Sequence, residues 1–507
     1  MIAAAASTLQ PRLSDLLAKG VAGMDPVIGS VTMDSREVTP GCLFLACAGT
    51  RTHGLQYLSQ AIEQGAVAIA WEPDARWTVE AVAQLIDDPQ LPLVRVAGLG
   101  RQVSHIASRF YADPSADLYL IGITGTNGKT SCAQFLAQAL QPDLRCGIIG
   151  TVGNGFPGAL QAGSHTTPDP VRLQSLLAEF RAQGAAAVAM EVSSHALDQG
   201  RTEAVRMDVA VLTNLSRDHL DYHGDMAAYG AAKKRLFRAP GLAAAIINLD
   251  DELGRKLVNE LAGGPRVIGY SRGQGAPTRA LDSWIHGEIL SIDDNGMRIA
   301  VSSSWGRAEF NTPLLGDFNV SNLLAVLGVL LYRGVPLEHA ARRLQQLQGV
   351  PGRMQRFGGG TQPLVVVDYA HTPDALEHVL RALRDHTRGR LVCVFGCGGD
   401  RDRGKRPQMG AIAEALADVT LVTDDNPRTE DGDRIVADIL AGMQRPGRAR
   451  LIRDRARAIS DAIGSAVAGD LVVVAGKGHE TTQQVGDTKF PFSDAQQVMR
   501  ALQGGKA

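Results

Sequence analysis

The 507-residue chain is poor in the features that mark several protein classes. Cysteine occurs six times, at Cys42, Cys47, Cys132, Cys146, Cys393 and Cys397. That is too sparse for a disulfide scaffold, and no pair has the CxxC spacing of a zinc or redox site. Cys393 and Cys397 lie in an apolar, strand-like run and read as buried thiols. Neither sign of charge is in excess. The formal net charge is −2, whereas a nucleic-acid binder usually carries a basic domain. A small anionic substrate stays open, because local basic sites fit within a neutral protein. Long apolar runs are also missing, and nothing approaches the ~18–20 residues of a membrane span. The longest candidate, Leu323 to Tyr332, reads as a buried helix. Met1-Ile-Ala-Ala-Ala-Ala has no positive n-region and no long h-region, so it does not read as a signal peptide. The expectation is a cytoplasmic monomer with no nucleic-acid partner and no membrane insertion.

What is present is ordinary globular material, 45% hydrophobic and 21% charged. At roughly 100–200 residues per domain the length suggests about three domains. Short apolar runs alternate with longer amphipathic or alanine-rich stretches. The runs include Leu118-Tyr-Leu-Ile-Gly-Ile123, Ala186-Ala-Val-Ala-Met-Glu191, Val209-Ala-Val-Leu-Thr213, Leu364-Val-Val-Val-Asp368 and Leu471-Val-Val-Val-Ala475. Each is apolar almost throughout, as a parallel strand covered on both faces requires. The pattern predicts an α/β protein with mostly parallel sheets. A polar break at Tyr111-Ala-Asp-Pro-Ser and a hinge at Gly349-Val-Pro-Gly-Arg353 divide it into 1–112, 113–348 and 349–507. Between about 270 and 315, short alternating runs predict an antiparallel excursion.

The clearest motif is Gly122-Ile-Thr-Gly-Thr-Asn-Gly-Lys-Thr-Ser131, between a buried strand and a helix beginning near Ser131. Glycines let the backbone turn several N–H groups inward, and the helix N-terminus favours phosphate. Lys129 can neutralise the β- and γ-phosphates, and the Thr130 hydroxyl can coordinate magnesium. The longer P-loop pattern would put a glycine at Ile123, so the match is to the core from Gly125. This predicts a nucleoside triphosphate without fixing the reaction. Glu191 ends a strand, at the carboxyl edge where open α/β sheets bind ligands. Asp218 and His219 follow the next strand and crowd the same edge. Glu191 and His219 could serve a hard ion held chiefly by oxygens, or could be structural hydrogen-bonding groups.

Taken together, several strings resemble the Mur ligases, which extend a UDP-N-acetylmuramoyl peptide one amino acid at a time. They are Gly125-Thr-Asn-Gly-Lys-Thr130, Glu191-Val-Ser-Ser-His195, Asn214-Leu-Ser-Arg-Asp-His-Leu-Asp221, Tyr229-Gly-Ala-Ala-Lys233 and Gly316-Asp-Phe-Asn-Val-Ser-Asn322. Gly352-Arg-Met, Asp368-Tyr-Ala-His-Thr-Pro373, Gly398-Gly-Asp-Arg-Asp402 and Lys405-Arg-Pro407 follow in order, so the resemblance spans nearly the full chain. It implies a central P-loop-type ATPase domain flanked by an N-terminal UDP-binding α/β domain and a C-terminal Rossmann-like domain for the amino acid. It implies ATP held by Gly125, Thr126, Asn127, Gly128, Lys129, Thr130 and Ser131, with Asn322, Arg353, Asp368 and His371 across the hinge. It also implies that Lys233 is carbamylated and shares Mg2+ with Thr130, Glu191 and His219, making Lys129, Glu191, His219 and Lys233 the catalytic set.

For the UDP-MurNAc-L-Ala-D-Glu substrate the resemblance implies Met33, Ser35, Thr50, Arg51, Thr52, Thr166, Thr167, Ser193, Gln199 and Arg201. His165 stands where relatives often have asparagine. The string Asp425-Asn426-Pro427-Arg428 resembles the members that add meso-diaminopimelate, whose second carboxylate a guanidinium can grip bidentately. Arg401, Gly476 and Glu480 complete that site, with Glu480 placed to receive the far ammonium. The implied reaction passes through an acyl phosphate. Competing readings are a lysine-adding relative, a folylpolyglutamate-synthetase-like ligase, a P-loop ATPase that makes no bond, and a nucleotide-sensing module.

Overall fold

Valine, isoleucine and alanine runs form the strands of this protein, and the amphipathic stretches between them form its helices. The computed structural model describes residues 10–21, 23–49, 52–83, 85, 90–163, 165–273 and 281–504. The chain divides into two compact units, Met1–Ile268 and Gly269–Ala507.

The first unit begins with a four-stranded parallel sheet in simple order: β1 (Ser30–Thr32), β2 (Cys42–Ala46), β3 (Ala66–Trp71) and β4 (Leu93–Arg95). Both faces are covered. Leu43, Leu45, Ala68 and Ala70 pack on one side with Val103 and Ile106 of the helix Leu99–Phe110, while Phe44, Ile69 and Trp71 pack on the other with Leu55 and Leu58. That two-sided burial is why these strands read as continuous apolar runs rather than alternating ones.

The larger sheet of this unit contains β5 (Tyr119–Thr124), β6 (Cys146–Gly150), β7 (Gly153–Phe156), β8 (Ala159–Gln161), β9 (Ala187–Glu191), β10 (Val209–Leu212) and β11 (Ala244–Asn248), ordered β11-β10-β5-β9-β6-β7-β8. The first five in that order are parallel, and β7 and β8 fold back antiparallel. In register, Ile123 faces Glu191 and Thr124 faces Leu212. The carboxyl ends of β5, β9 and β10 are therefore level. The chain runs from β5 outward to β6 and returns through β9 before crossing to β10, which opens a crevice at that edge. A further strand, β12 (Arg266–Ser271), spans the division between the units.

In the second unit β13 (Ser283–Asp293), β14 (Gly296–Ser303) and β15 (Gly306–Thr312) form an antiparallel meander. The expected antiparallel excursion is present. The helix Phe318–Tyr332 buries twelve of its fifteen residues, so the apolar run of 323–332 is indeed a core helix. The last sheet has order β16-β17-β21-β18-β19-β20. It contains β16 (Gln355–Gly358), β17 (Leu364–Asp368), β18 (Leu391–Phe395), β19 (Val419–Val422), β20 (Arg450–Leu451) and β21 (Leu471–Ala475), all parallel except the edge strand β16. Helices cover both faces, through Leu376, Leu380 and Met409 on one and Ala458, Ile459 and Val498 on the other. A hairpin, β22 (Thr482–Val485) and β23 (Thr488–Pro491), follows it. Cys393 and Cys397 are buried free thiols. Among the described residues no helix is long and apolar enough to cross a membrane.

Candidate active site

The phosphate loop leaves β5 with Gly125 at φ 150, where an added Cβ would lie 1.8 Å from Thr213 Oγ1. Only glycine fits. The helix Lys129–Leu140 begins at Lys129, two residues before the sequence expectation, with Gly128 at φ 85 as its N-cap and no side chain capping it. Lys129, Thr130 and Ser131 thus form its first turn, and a helix N-terminus favours an anion. Residues after β10 hold the loop in shape. Thr126 N donates to Asn214 O at 2.8 Å, Asn127 N to Asn214 Oδ1 at 3.0 Å, and Thr213 Oγ1 to Asn127 O at 2.6 Å. Lys129 Nζ curls over the loop and donates to Gly125 O at 2.7 Å and Thr126 O at 2.8 Å.

Glu191 is 1% exposed. Thr130 Oγ1 donates to its Oε2 at 3.0 Å, Thr151 N to Oε1 at 2.8 Å, and Thr151 Oγ1 to Oε2 at 3.1 Å. Burial pushes this carboxyl up; the Lys129 charge and the threonine donors pull the other way. Hydrogen bonds to charged groups contribute about 1.5–3 kcal/mol each, so three together offset much of the several kcal/mol that burying an anion costs. Gly150 makes room, since a Cβ there would sit 2.2 Å from Glu191 Oε1.

Lys233, on the helix Met226–Lys234, is likewise 1% exposed. Its Nζ donates to Gly125 O at 2.9 Å and lies 4.4 Å from the Tyr229 ring centroid. Burial lowers its pKa to about 6, the nearby Lys129 charge adding to the effect and Asp218 opposing it. At neutral pH this lysine is mostly an unprotonated amine. Tyr229 also meets Thr126 Oγ1 through its hydroxyl, at 3.2 Å.

His219 takes a left-handed backbone, φ 52, and its Nε2 lies 3.4 Å from Asp218 Oδ2. Its ring stands edge-on to His195, with centroids 4.9 Å apart, and 6.0 Å from Tyr229. Among the described residues it is not a hydrogen-bond partner of Glu191. Burial lowers the pKa of both His195 and His223.

The residues expected to hold the muramoyl peptide gather beside Glu191. Thr167 Oγ1 donates to the Glu191 carbonyl at 2.8 Å and accepts from Ser193 N at 3.0 Å. Thr166 Oγ1 meets Thr151 Oγ1 at 3.0 Å. Arg201 Nη1 donates to Thr167 O at 2.7 Å, and Nη2 to Gln199 Oε1 at 2.6 Å. After β1, Ser35 is buried with its hydroxyl donating to Gln60 Oε1 at 2.8 Å, and Met33 packs against the core. Thr52 is exposed, its carbonyl accepting from Gly49 N at 3.0 Å. Thr50 and Arg51 lie outside the described residues.

In the second unit Asp368 is buried, accepting from Met354 N and Ala370 N at 2.8 Å each. Burial pushes its carboxyl up, while Met354 N–H and the Arg353 charge oppose the rise. The Arg353 guanidinium lies 4.7 Å from the Tyr369 ring centroid, and His371 Nδ1 reaches Tyr369 O at 2.8 Å. Asn322 Nδ2 donates to Asn319 Oδ1 at 2.9 Å inside the buried helix.

A second cluster forms where β18, β19 and β21 end. Arg428, at φ 52, donates from Nη1 to Gly399 O at 2.7 Å. Its backbone is clasped by the hairpin: Arg428 N donates to Gln484 O at 3.2 Å, and Gly486 N to Arg428 O at 2.7 Å. Pro427 O crowds Gly399, where a Cβ would lie 1.8 Å away. Arg401 Nη1 donates to Asp400 O at 3.4 Å. Asn426 Nδ2 donates to Glu480 Oε2 at 3.0 Å. Burial raises the Asp425 carboxyl, with Arg455 and Lys477 opposing. Gly476, at φ 119, leaves room for Asp425 Oδ2, 2.6 Å from where its Cβ would be.

Thr151 and Thr213 went unassigned in the sequence reading, while Asn214 and Lys477 lay inside matched strings without a role of their own. Thr151 follows β6, whose register with β9 (Ile149 opposite Met190) carries it to Glu191. Strand register is the signal that finds it. Thr130 and Glu191 offer hard oxygen donors in mutual contact, which fits magnesium. A lysine ammonium has no lone pair to give a metal, so Lys233 fits that group only as a carbamate.

Comparison with known proteins places these features in one family. The Mur ligase middle domain matches residues 123–330, the Mur ligase glutamate ligase domain 352–478, and the Mur ligase family catalytic domain 27–111. UDP-N-acetylmuramoyl-L-alanyl-D-glutamate--2,6-diaminopimelate ligase of Ectopseudomonas mendocina is 52% identical over 98% of this chain and 99% of its own. The Pseudomonas aeruginosa protein of the same name is 52% identical over 94% of this chain and 96% of its own. A solved structure of a protein so named covers 98% of this chain and 100% of itself, with 34% identity and a TM-score of 0.72.

Proposed function

The chain belongs to the Mur ligase family, and on that premise we propose that it joins meso-2,6-diaminopimelate to UDP-MurNAc-L-Ala-D-Glu with ATP as co-substrate, in peptidoglycan precursor synthesis. It is an ATP-dependent amide-bond-forming ligase. The observation that carries the reading is the Thr130–Glu191–Thr167 chain of hydrogen bonds, which links the phosphate loop to the peptide loop through a single buried residue.

The side-chain carboxylate of the D-glutamyl residue attacks the γ-phosphorus of ATP, and ADP leaves. The amine of diaminopimelate attacks the resulting acyl phosphate, forming the amide and releasing phosphate. The protein positions and neutralises rather than bonding covalently. Gly125 to Ser131 cradle the phosphates, and Lys129 faces the β- and γ-oxygens. Thr130, Glu191, His219 and carbamylated Lys233 would hold Mg2+, which when bound would supply charge neutralisation on the phosphates. The low pKa of Lys233 supports its carbamylation, because the neutral amine is the form that combines with carbon dioxide. Thr166, Thr167, Ser193, Gln199 and Arg201 orient the peptide. Met33, Ser35, Thr50, Arg51 and Thr52 serve the UDP-sugar. Asn322, Arg353, Asp368 and His371 complete the ATP site. Arg401, Asp425, Asn426, Pro427, Arg428, Gly476 and Glu480 take diaminopimelate.

The three domains are 1–112, 113–348 and 349–507, a reading that the parallel sheet of the first range and the mixed sheets of the other two support. The protein works in the cytoplasm as a monomer. The test supplies ATP and UDP-MurNAc-L-Ala-D-Glu with either meso-diaminopimelate or L-lysine, and records phosphate release and product mass. A tripeptide product with diaminopimelate alone supports the reading. Product with lysine alone contradicts the assignment of Arg428, and phosphate release without any product points to an ATPase.

A further inference from the structure

Lys477 is the one lysine of the Gly476-Lys-Gly-His-Glu480 turn, and its side chain is 0% exposed. The turn forces it inward. Gly476 and Gly478 flank it at φ 119 and 54, and a Cβ on Gly478 would lie 2.7 Å from Tyr369 Cβ. Only glycine on both sides lets the backbone pack this closely. Lys477 Nζ then donates to Asn426 Oδ1 at 3.0 Å and to Glu480 Oε2 at 2.8 Å. Asn426 Nδ2 donates to the same Glu480 oxygen at 3.0 Å, and Asn426 Oδ1 also accepts from Gln484 N at 2.9 Å. One buried amino group thus ties together the loop after β19, the turn after β21 and the hairpin.

We propose that Lys477 is a positioning residue for the incoming diamino acid, fixing Glu480 so that its Oε1 is presented to the ligand's far ammonium while Oε2 is anchored. Both donors converge on Oε2, and among the described residues neither bonds to Oε1. The inference rests on the reading of this cluster as the amino-acid site. Burial works against the Glu480 charge, while Lys477 and Asn426 hold the carboxyl below its usual range. Without Lys477 the balance tips towards the protonated acid, which cannot pair with an ammonium.

The test uses the full-length protein with K477M, K477Q, K477R and E480Q, varying diaminopimelate at saturating ATP and UDP-MurNAc-L-Ala-D-Glu. K477M and K477Q should raise the KM for diaminopimelate about tenfold or more, the loss of one charge-assisted bond, with the KM for ATP unchanged. Asp425, Tyr369, Arg455 and His479 also face Glu480 in every variant, so removing Lys477 alone should make the KM for diaminopimelate climb more steeply with falling pH than in the wild type. K477R should recover part of the loss. Adding E480Q to K477Q should cost less than the two effects multiplied, because the pair acts as a unit. A wild-type KM for diaminopimelate in K477Q, with the pH dependence of the wild type, overturns the proposal. So does a parallel rise in the KM for ATP with a lowered Tm in all three Lys477 variants, which marks a merely structural role. If the wild type itself makes no diaminopimelate tripeptide, the reading of the cluster fails first.

Discussion

Lys129 and Lys233 donate to the same carbonyl oxygen, that of Gly125, at 2.7 and 2.9 Å. Burial disfavours the charge on the deeper lysine, repulsion from Lys129 adds to it, and Lys233 yields its proton. Lys233 has a folded-state pKa of about 6 against an ordinary 10.5. Between those values the unfolded chain binds the extra proton, so this lysine makes stability rise with pH across that window. In buffer free of carbon dioxide, Lys233→Met should therefore raise Tm most below about pH 6, with the gain shrinking towards pH 10; a gain that grows with pH would contradict the shift. Lys129→Ala should lower kcat by about 10²–10³-fold or more while leaving the circular dichroism spectrum intact, and retained turnover would remove the loop from the chemistry. Arg428→Ala loses a charged partner worth about 1.5–3 kcal/mol, so the KM for diaminopimelate should rise about 10–100-fold, read by steady-state kinetics against an unchanged KM for ATP.

At the scale of elements, what the sequence shows best is the strands. Each apolar run is covered on both faces, and level strand ends bring Gly125, Glu191 and Thr213 to one edge. The contact between Thr130 and Glu191, 61 positions apart, follows from that register. Connections were harder to read. The helix after the loop starts at Lys129 because Gly128 can take a positive φ, a choice that apolar periodicity does not record. The hairpin Thr482–Pro491 is polar and exposed, so nothing in its pattern shows that it clasps the Arg428 backbone. The close approach of Gly399 and Pro427 gives a prediction at this scale. Gly399→Ala would place a Cβ 1.8 Å from Pro427 O and push the Arg428 loop aside. The KM for diaminopimelate should rise, with the KM for ATP held; equal KM values for wild type and variant would show that the loop does not carry the specificity.

At the scale of the whole molecule, the α/β class and the antiparallel excursion near residues 283–312 were legible in the periodicity. The internal partners of single polar side chains were not. Ser35 has its hydroxyl on Gln60 inside the domain, a pairing of residues 25 positions apart that no local pattern marks. The carbamylation proposed for Lys233 was equally invisible as spacing; burial beside a second ammonium distinguishes Lys233 from the more exposed Lys234. The central claim is that one chain activates a carboxylate with ATP and discharges it onto an amine. UDP-MurNAc-L-Ala-D-Glu carrying 18O at both oxygens of the D-glutamyl side-chain carboxylate tests this most directly, with the mass of released phosphate and of the tripeptide measured together. The account predicts one 18O in the inorganic phosphate and one retained in the amide for every bond made. Phosphate free of 18O alongside an amide product would contradict the acyl-phosphate route.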